Sequence, residues 1–190
     1  MKRLQQALRE RLTPGRFAHV AGVVKTAESL ARLYGADPHK AILAAWLHDY
    51  YREASEDELT HLAQDVGMAL PEGPAVTWHG PICAARMKRD FAVDDEEVKF
   101  AVAYHTVGHA VMPLLARILY VADAIEPTRR YPGVEDLRTL AQQDLTLALA
   151  RTADDSIRYL LSRNEEIALA TVAMRNEAYR EYRTCNRSTI

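Results

Sequence analysis

Residues 16–35 read RFAHVAGVVKTAESLARLYG. Val20, Val23, Val24, Ala27, Leu30, Ala31 and Tyr34 recur at the i, i+3, i+4, i+7 spacing of one helix face, and Gly35 ends the run. The next words continue the pattern. Asp37 and Pro38 supply a cap and a first-turn proline, and Ala41, Ile42, Ala45 and Trp46 carry an apolar face towards position 49. Further along, Ser55 with Glu58 and Asp94 with Glu97 each have the spacing of a capping box. Pro113 opens a helix through Leu114, Leu115, Ile118, Leu119 and Ala122 that stops before Pro127. Residues 134–182 are again helical in pattern, with no Gly or Pro to break them. Period-two runs of β-branched residues are absent, so the predicted fold is all-α, a helical bundle.

A chain of 190 residues is long enough for one domain with one sizeable core, and no linker divides it. The expected organisation is a single domain over 1–190, with a core at about 16–130, C-terminal helices at about 134–182 and a tail that loosens after Arg183. A composition of 48% hydrophobic and 26% charged residues excludes a disordered chain or a fibrous repeat. Twenty-four Lys and Arg against 26 Asp and Glu leave a net charge of -2, so no global positive field exists to hold nucleic acid. A local basic pocket for a small phosphate compound is compatible with this balance. Cys83 and Cys185 have neither zinc-finger nor redox spacing, which fits a reducing, cytoplasmic setting. The N-terminal MKRLQQALRERL mixes charge with Leu and does not read as a secretory signal. No window approaches the roughly 18 apolar residues of a membrane span.

The chemistry-bearing residues lie on the apolar faces. His19 stands one turn before Val23, His48 follows Ala41, Ala44 and Ala45, and His105 continues the stripe of Val98, Ala101 and Val102. Asp49 and Asp123 close apolar helices. A single histidine on such a face is most often a hydrogen-bonded core residue. Several imidazoles and two carboxylates buried together are costly unless paired or bound to a metal, and their convergence in a helical bundle has the make-up of a metal site. His39 and His61 lack such company and are assigned to the surface.

His19, then His48-Asp49, then Asp123 resembles the H…HD…D signature of the HD-domain metal-dependent phosphohydrolases. The surrounding words resemble the YqeK family of HD-domain proteins over about residues 10–182. They are Arg16-Phe-Ala-His19, Trp78-His79-Gly80-Pro-Ile-Cys-Ala84, Tyr104-His105-Thr106-Val-Gly108, Val121-Ala-Asp123-Ala-Ile-Glu126-Pro-Thr-Arg129 and Tyr131-Pro-Gly-Val-Glu-Asp-Leu-Arg138. The resemblance implies an all-helical fold, an iron-containing site and symmetrical hydrolysis of diadenosine tetraphosphate to two ADP. It implies metal ligands at His19, His48, Asp49 and Asp123, with His79 and His105 completing a second metal position or holding a phosphate oxygen, and Asp49, His79 and His105 doing the catalytic work.

Imidazole and carboxylate without thiolate suit one or two first-row ions such as iron or manganese, and the preference for iron comes from the family alone. Arg16, Arg52 and Arg129 are the candidate phosphate-holding cations, joined by the Thr106 hydroxyl. Glu126 is available as an acid but also suits a helix end before Pro127. The chain departs from the family after His48-Asp49, where Tyr50-Tyr51-Arg52 stands in place of the usual Ala-Lys pair, and around Met112-Pro113. The implied partner is a dinucleoside polyphosphate, and a homodimer is compatible with the sequence. Another HD phosphohydrolase acting on a monophosphate, a triphosphate or an alarmone would carry the same ligands, and a non-catalytic nucleotide sensor is the alternative from a different class.

Overall fold

The computed structural model describes residues 2–187, with side chains to Cys185. Ten α-helices follow in order: α1 (Lys2–Arg11), α2 (Pro14–Tyr34), α3 (Pro38–Leu47), α4 (Glu56–Gln64), α5 (His79–Phe91), α6 (Glu96–Tyr104), α7 (Leu114–Ile125), α8 (Val134–Gln143), α9 (Leu145–Ser162) and α10 (Leu169–Arg187). A short 3₁₀ turn, Ala75–Thr77, precedes α5, and no strand occurs among the described residues. None of the described helices is long and apolar enough to cross a membrane.

Local chemistry sets several boundaries where the sequence places them: Gly35 closes α2 at φ +75°, Asp37 caps α3, and Ser55 caps α4. α2 itself starts earlier than the expected residue 16, because the Thr13 hydroxyl caps it with Pro14 at its first position. The fourth expected cap falls one residue later. Asp95, not Asp94, accepts from the backbone N–H groups of Glu97 and Val98, and Asp94 pairs with Lys88 and Lys99 instead. Two adjacent aspartates have the same capping chemistry, and the approach of the lysines decides between them.

The 134–182 region is interrupted twice although it lacks Gly and Pro. Asp144 leaves the helical region and accepts from Leu147 N–H to start α9, while Asn164 takes a left-handed φ of +55° after it. Asx residues do this because their short side chains bond nearby backbone and tolerate that conformation. The final helix continues to Arg187, past the Arg183 at which the tail was expected to loosen; residues 188–190 lie outside the described residues.

α7 is the centre of the bundle. Leu115, Ala116, Ile118, Leu119, Tyr120, Val121, Ala122 and Ile125 are all buried, so the helix needs neighbours on nearly every side. It packs against α2, α3, α6, α8 and α9, while α2 packs on α3, and α6 on α3 and α5. Alanines at the contacts, among them Ala27, Ala44, Ala45, Ala101, Ala116 and Ala122, let the backbones approach closely. The C-terminal pair α9 and α10 is joined by Asp154, which accepts from Arg175 Nε at 2.7 Å and from the Tyr179 hydroxyl at 2.5 Å.

Candidate metal centre

The packing of α2, α3, α5, α6 and α7 brings polar side chains from five helices to one interior point. His19 lies within α2, His48 closes α3 with Asp49 just beyond it, His79 begins α5, His105 closes α6 and Asp123 stands near the end of α7. His19, His48, Asp49, His79 and His105 are all buried, and Asp123 is half-buried.

Asp49 is the hub. Its Oδ2 lies 3.5 Å from His19 Nε2 and 3.4 Å from His48 Nε2, whereas its Oδ1 lies 3.2 Å from His79 Nε2 and 3.6 Å from His105 Nε2. Asp123 Oδ1 is 3.1 Å from His19 Nε2. Three overlapping groups are thus compact enough to hold an ion: His19-His48-Asp49, His48-His105-Asp123 and Asp49-His79-His105. The two oxygens of Asp49 divide the centre into a side with His19 and His48 and a side with His79 and His105.

Each imidazole is turned by a partner on its other nitrogen. Nδ1 of His48, His79 and His105 points at the carbonyl three residues earlier, Ala45 at 2.7 Å, Val76 at 3.0 Å and Val102 at 2.8 Å. For His48 and His105 those carbonyls belong to the last turn of a helix, where they lack intrahelical donors. Donation from Nδ1 leaves the Nε2 lone pair facing inward. His19 Nε2 and His48 Nε2 are buried with no hydrogen-bond partner, a costly state that a bound cation relieves. His79 Nε2 and His105 Nε2 face each other at 3.1 Å, with the Thr106 hydroxyl 3.4 Å and 3.1 Å from them. These observations fit a divalent metal in the donor set.

The electrostatics agree. Burial opposes ionisation of Asp49, but His48 and the hydrogen bonds of His105, His48 and His79 outweigh it and hold the carboxyl well below its ordinary range. Asp123 is likewise depressed against its burial by His19, His48 and Arg129. Burial pushes the His79 imidazolium down to about 4, leaving a neutral ring at pH 7. Burial also works against a charged His48, yet the Asp49 carboxylate prevails and raises its pKa, so a proton competes with a cation there.

The candidate phosphate residues occupy different situations. Arg16 Nη1 is ion-paired to Asp49 Oδ2 at 3.0 Å, and Arg129 Nη2 to Asp123 Oδ1 at 2.7 Å. Both line a cleft of about 370 Å³ with His19, Glu53, Thr128 and Arg130. Arg52 does not line that cleft, and its charge adds a small contribution to disfavouring protonation of His79. Tyr50 and Tyr51 account for the family departure: Tyr51 donates to Asp90 Oδ2 at 2.5 Å and Tyr50 packs edge-on against Phe91, so the two rings anchor the His48-Asp49 turn to α5. Glu53 accepts from Thr13 N–H and hydroxyl, each at 2.7 Å, and so joins that turn to the start of α2.

Sequence reasoning did not place Glu126. Its side chain is fully buried, it borders the same cleft as Arg16 and Arg129, and its carboxylate faces His19 Nδ1 at 3.1 Å. His39 and His61 stay outside the centre: Asp37 caps His39's backbone, and His61 Nδ1 bonds Asp57 O on an exposed helix face.

Ten helices around an interior centre of four histidines and two aspartates define an HD-type helical domain, and the HD domain profile matches residues 16–128. The chain is 37% identical to the symmetrical bis(5'-nucleosyl)-tetraphosphatase of Bacillus subtilis over 84% of this chain and 87% of that protein. It is 37% identical to the protein of the same name in Halalkalibacterium halodurans, over 90% and 93% of the two chains. A crystal structure from Clostridium acetobutylicum, described as a predicted HD superfamily hydrolase involved in NAD metabolism, superposes with a TM-score of 0.90 at 30% identity, covering 95% of this chain and 97% of its own. The chain belongs to the HD-domain family, in the group that contains these symmetrical tetraphosphatases.

Proposed function

We propose that the chain is a divalent-metal-dependent hydrolase that cleaves diadenosine tetraphosphate symmetrically to two ADP. The observation that carries it is the convergence of four imidazole Nε2 atoms on the two oxygens of Asp49, in a chain this similar to symmetrical tetraphosphatases. His19, His48, Asp49 and Asp123 would hold a first ion, and His79 and His105 a second ion or a phosphate oxygen. We take the metal to be iron on family grounds; the donor set suits manganese as well. When bound, such ions supply an acidified water near neutral pH and positive charge for the phosphoryl oxygens.

The chain's own residues set up the rest. Symmetrical cleavage joins water oxygen to one of the two central phosphorus atoms and breaks the central P–O–P bridge, so phosphate continues away from the reacting bond in both directions. Arg16 and Arg129 flank the centre on the His19 side and Arg52 flanks it on the His79 side, a distribution suited to such a substrate. Thr106 can donate to a phosphoryl oxygen held near His79 and His105. The net charge of -2 makes these local cations necessary, because no global field assists binding. The reading includes a cytoplasmic setting.

The test is metal removal, reloading with Fe²⁺ or Mn²⁺ separately, and incubation with a panel of dinucleoside polyphosphates. Diadenosine tetraphosphate should yield ADP alone. AMP with ATP would overturn symmetrical cleavage, and turnover only of mononucleotides or alarmones would overturn the substrate.

A further inference from the structure

Among the four imidazoles of the centre, His19 is held differently. His48, His79 and His105 each direct Nδ1 to a carbonyl three residues back in their own segment. His19 sits mid-helix in α2, where the carbonyls are already committed to the helix, and its Nδ1 finds Glu126, 107 residues away, at 3.1 Å. Glu126 is fully buried at the end of α7, and its position is determined from several sides. Oε2 accepts from Thr128 N–H at 2.7 Å, and Oε1 accepts from the Thr128 hydroxyl. Room for the carboxylate comes from Gly22, one turn after His19, where any Cβ would collide with Oε2. The loop carrying Glu126 is itself secured by Arg138, which donates to the carbonyls of Ile125, Glu126 and Arg129 at 2.8, 2.8 and 3.1 Å.

We propose that Glu126 is a positioning residue that keeps the ring proton of His19 on Nδ1, so that Nε2 presents a lone pair to the metal. This rests on the reading of His19 as a ligand. A carboxylate that must accept fixes the tautomer of a ligating histidine and strengthens it as a donor, and loss of such a partner costs roughly 10- to 100-fold in metal affinity. The same contacts remove Glu126 from the role of general acid, since both of its oxygens already accept hydrogen bonds from Thr128.

Glu126→Gln gives a test that keeps side-chain shape. A backbone N–H cannot reverse its role, so the amide oxygen must stay on Thr128 N–H, and the amide NH₂ then faces His19 Nδ1. The ring has to accept there, which moves its proton to Nε2 and blocks the ligand. Histidine-selective ¹⁵N NMR of the full, metal-free chain at pH 9 should show His19 as the Nδ1–H form in the parent and the Nε2–H form in Glu126→Gln, with similar melting temperatures. Calorimetric titration with Mn²⁺ should show affinity lower by roughly 10- to 100-fold in the variant. An Nε2–H form in the parent, an unchanged tautomer in the variant, or equal Mn²⁺ affinity overturns the proposal. A parent that takes up no Mn²⁺ overturns the metal-site reading together with it, whereas full uptake by both proteins overturns the proposal alone. If Glu126→Gln does not fold, Gly22→Ala, which displaces the carboxylate sterically, carries the Mn²⁺ titration: weakened uptake supports the role and parental uptake overturns it.

Discussion

His79 Nε2 and His105 Nε2 face each other at 3.1 Å, both within reach of Asp49 Oδ1 and both with Nδ1 directed to a carbonyl. Two lone pairs in that arrangement repel unless a cation or a donor stands between them, which separates this side of the centre from the His19 and His48 side. His79→Ala and His105→Ala should therefore each lower turnover by more than the roughly 10- to 100-fold expected for losing an outer partner, while retaining metal at the other position. Elemental analysis beside the kinetics checks this. Loss of all metal in either variant would place that residue in the first ligand set.

The three arginines should behave differently because their partners differ. Removing a hydrogen bond to a charged group costs about 1.5–3 kcal/mol, so Arg52→Ala should lower kcat/KM by roughly 10- to 150-fold. Its metal content should match the parent's, because, unlike Arg16 and Arg129, Arg52 is ion-paired to neither Asp49 nor Asp123 among the described residues. Arg129→Ala should lower kcat/KM and also alter metal affinity, because Arg129 shares Asp123 Oδ1 with the centre. Paired measurements of kcat/KM and Mn²⁺ affinity on both variants test the distinction.

Stability should depend on pH through Asp154, whose carboxyl is held below its ordinary value of 3.8 by Tyr179, Arg175 and Arg158 despite the opposing effect of burial. A depressed folded-state pKa means that the unfolded chain takes up its proton first as pH falls. The stabilisation is therefore complete well above 3.8 and disappears as pH drops through the depressed value. Asp154→Asn should destabilise by about 1–3 kcal/mol at pH 7, and the gap to the parent should close in acid. Urea unfolding of both proteins from pH 7 downward measures it; a gap that widens in acid would refute it.

Gly108 follows His105 in the loop to α7, at φ +73°, and a Cβ there would overlap the sulfur of the buried Met174. Gly108→Ala combines a left-handed penalty of about 1–2 kcal/mol with overpacking of about 1–3 kcal/mol. Thermal unfolding should fall accordingly. Adding Met174→Ala should recover the overpacking part and leave the backbone part, a split that a double-mutant comparison reads directly.

Much of the site's location was legible in the chain. A histidine on an apolar face is a local statement, and so is a His-Asp pair at a helix end; both place the polar atoms indoors before any tertiary contact is known. Which nitrogen faces inward was partly local too, since His48 and His105 bond carbonyls of their own helices. Glu126 left no such mark. A glutamate before a proline reads as a helix end, and its partner His19 is 107 positions away.

The sequence by itself determined the all-helical class, the caps at Gly35, Asp37 and Ser55 and the kinds of donor the interior would contain, because periodicity, capping and polarity act within a few residues. Only the tertiary structure decided the choice of Asp95 over Asp94 as a cap, the pairing of Arg16 with Asp49 and of Arg129 with Asp123, the division of the imidazoles between the two oxygens of Asp49, and the attachment of Glu126 to His19. These depend on the angles and distances at which α2, α3, α6 and α7 pack. Those are set by the shapes of whole helix faces meeting across the core, which no short stretch of the chain contains.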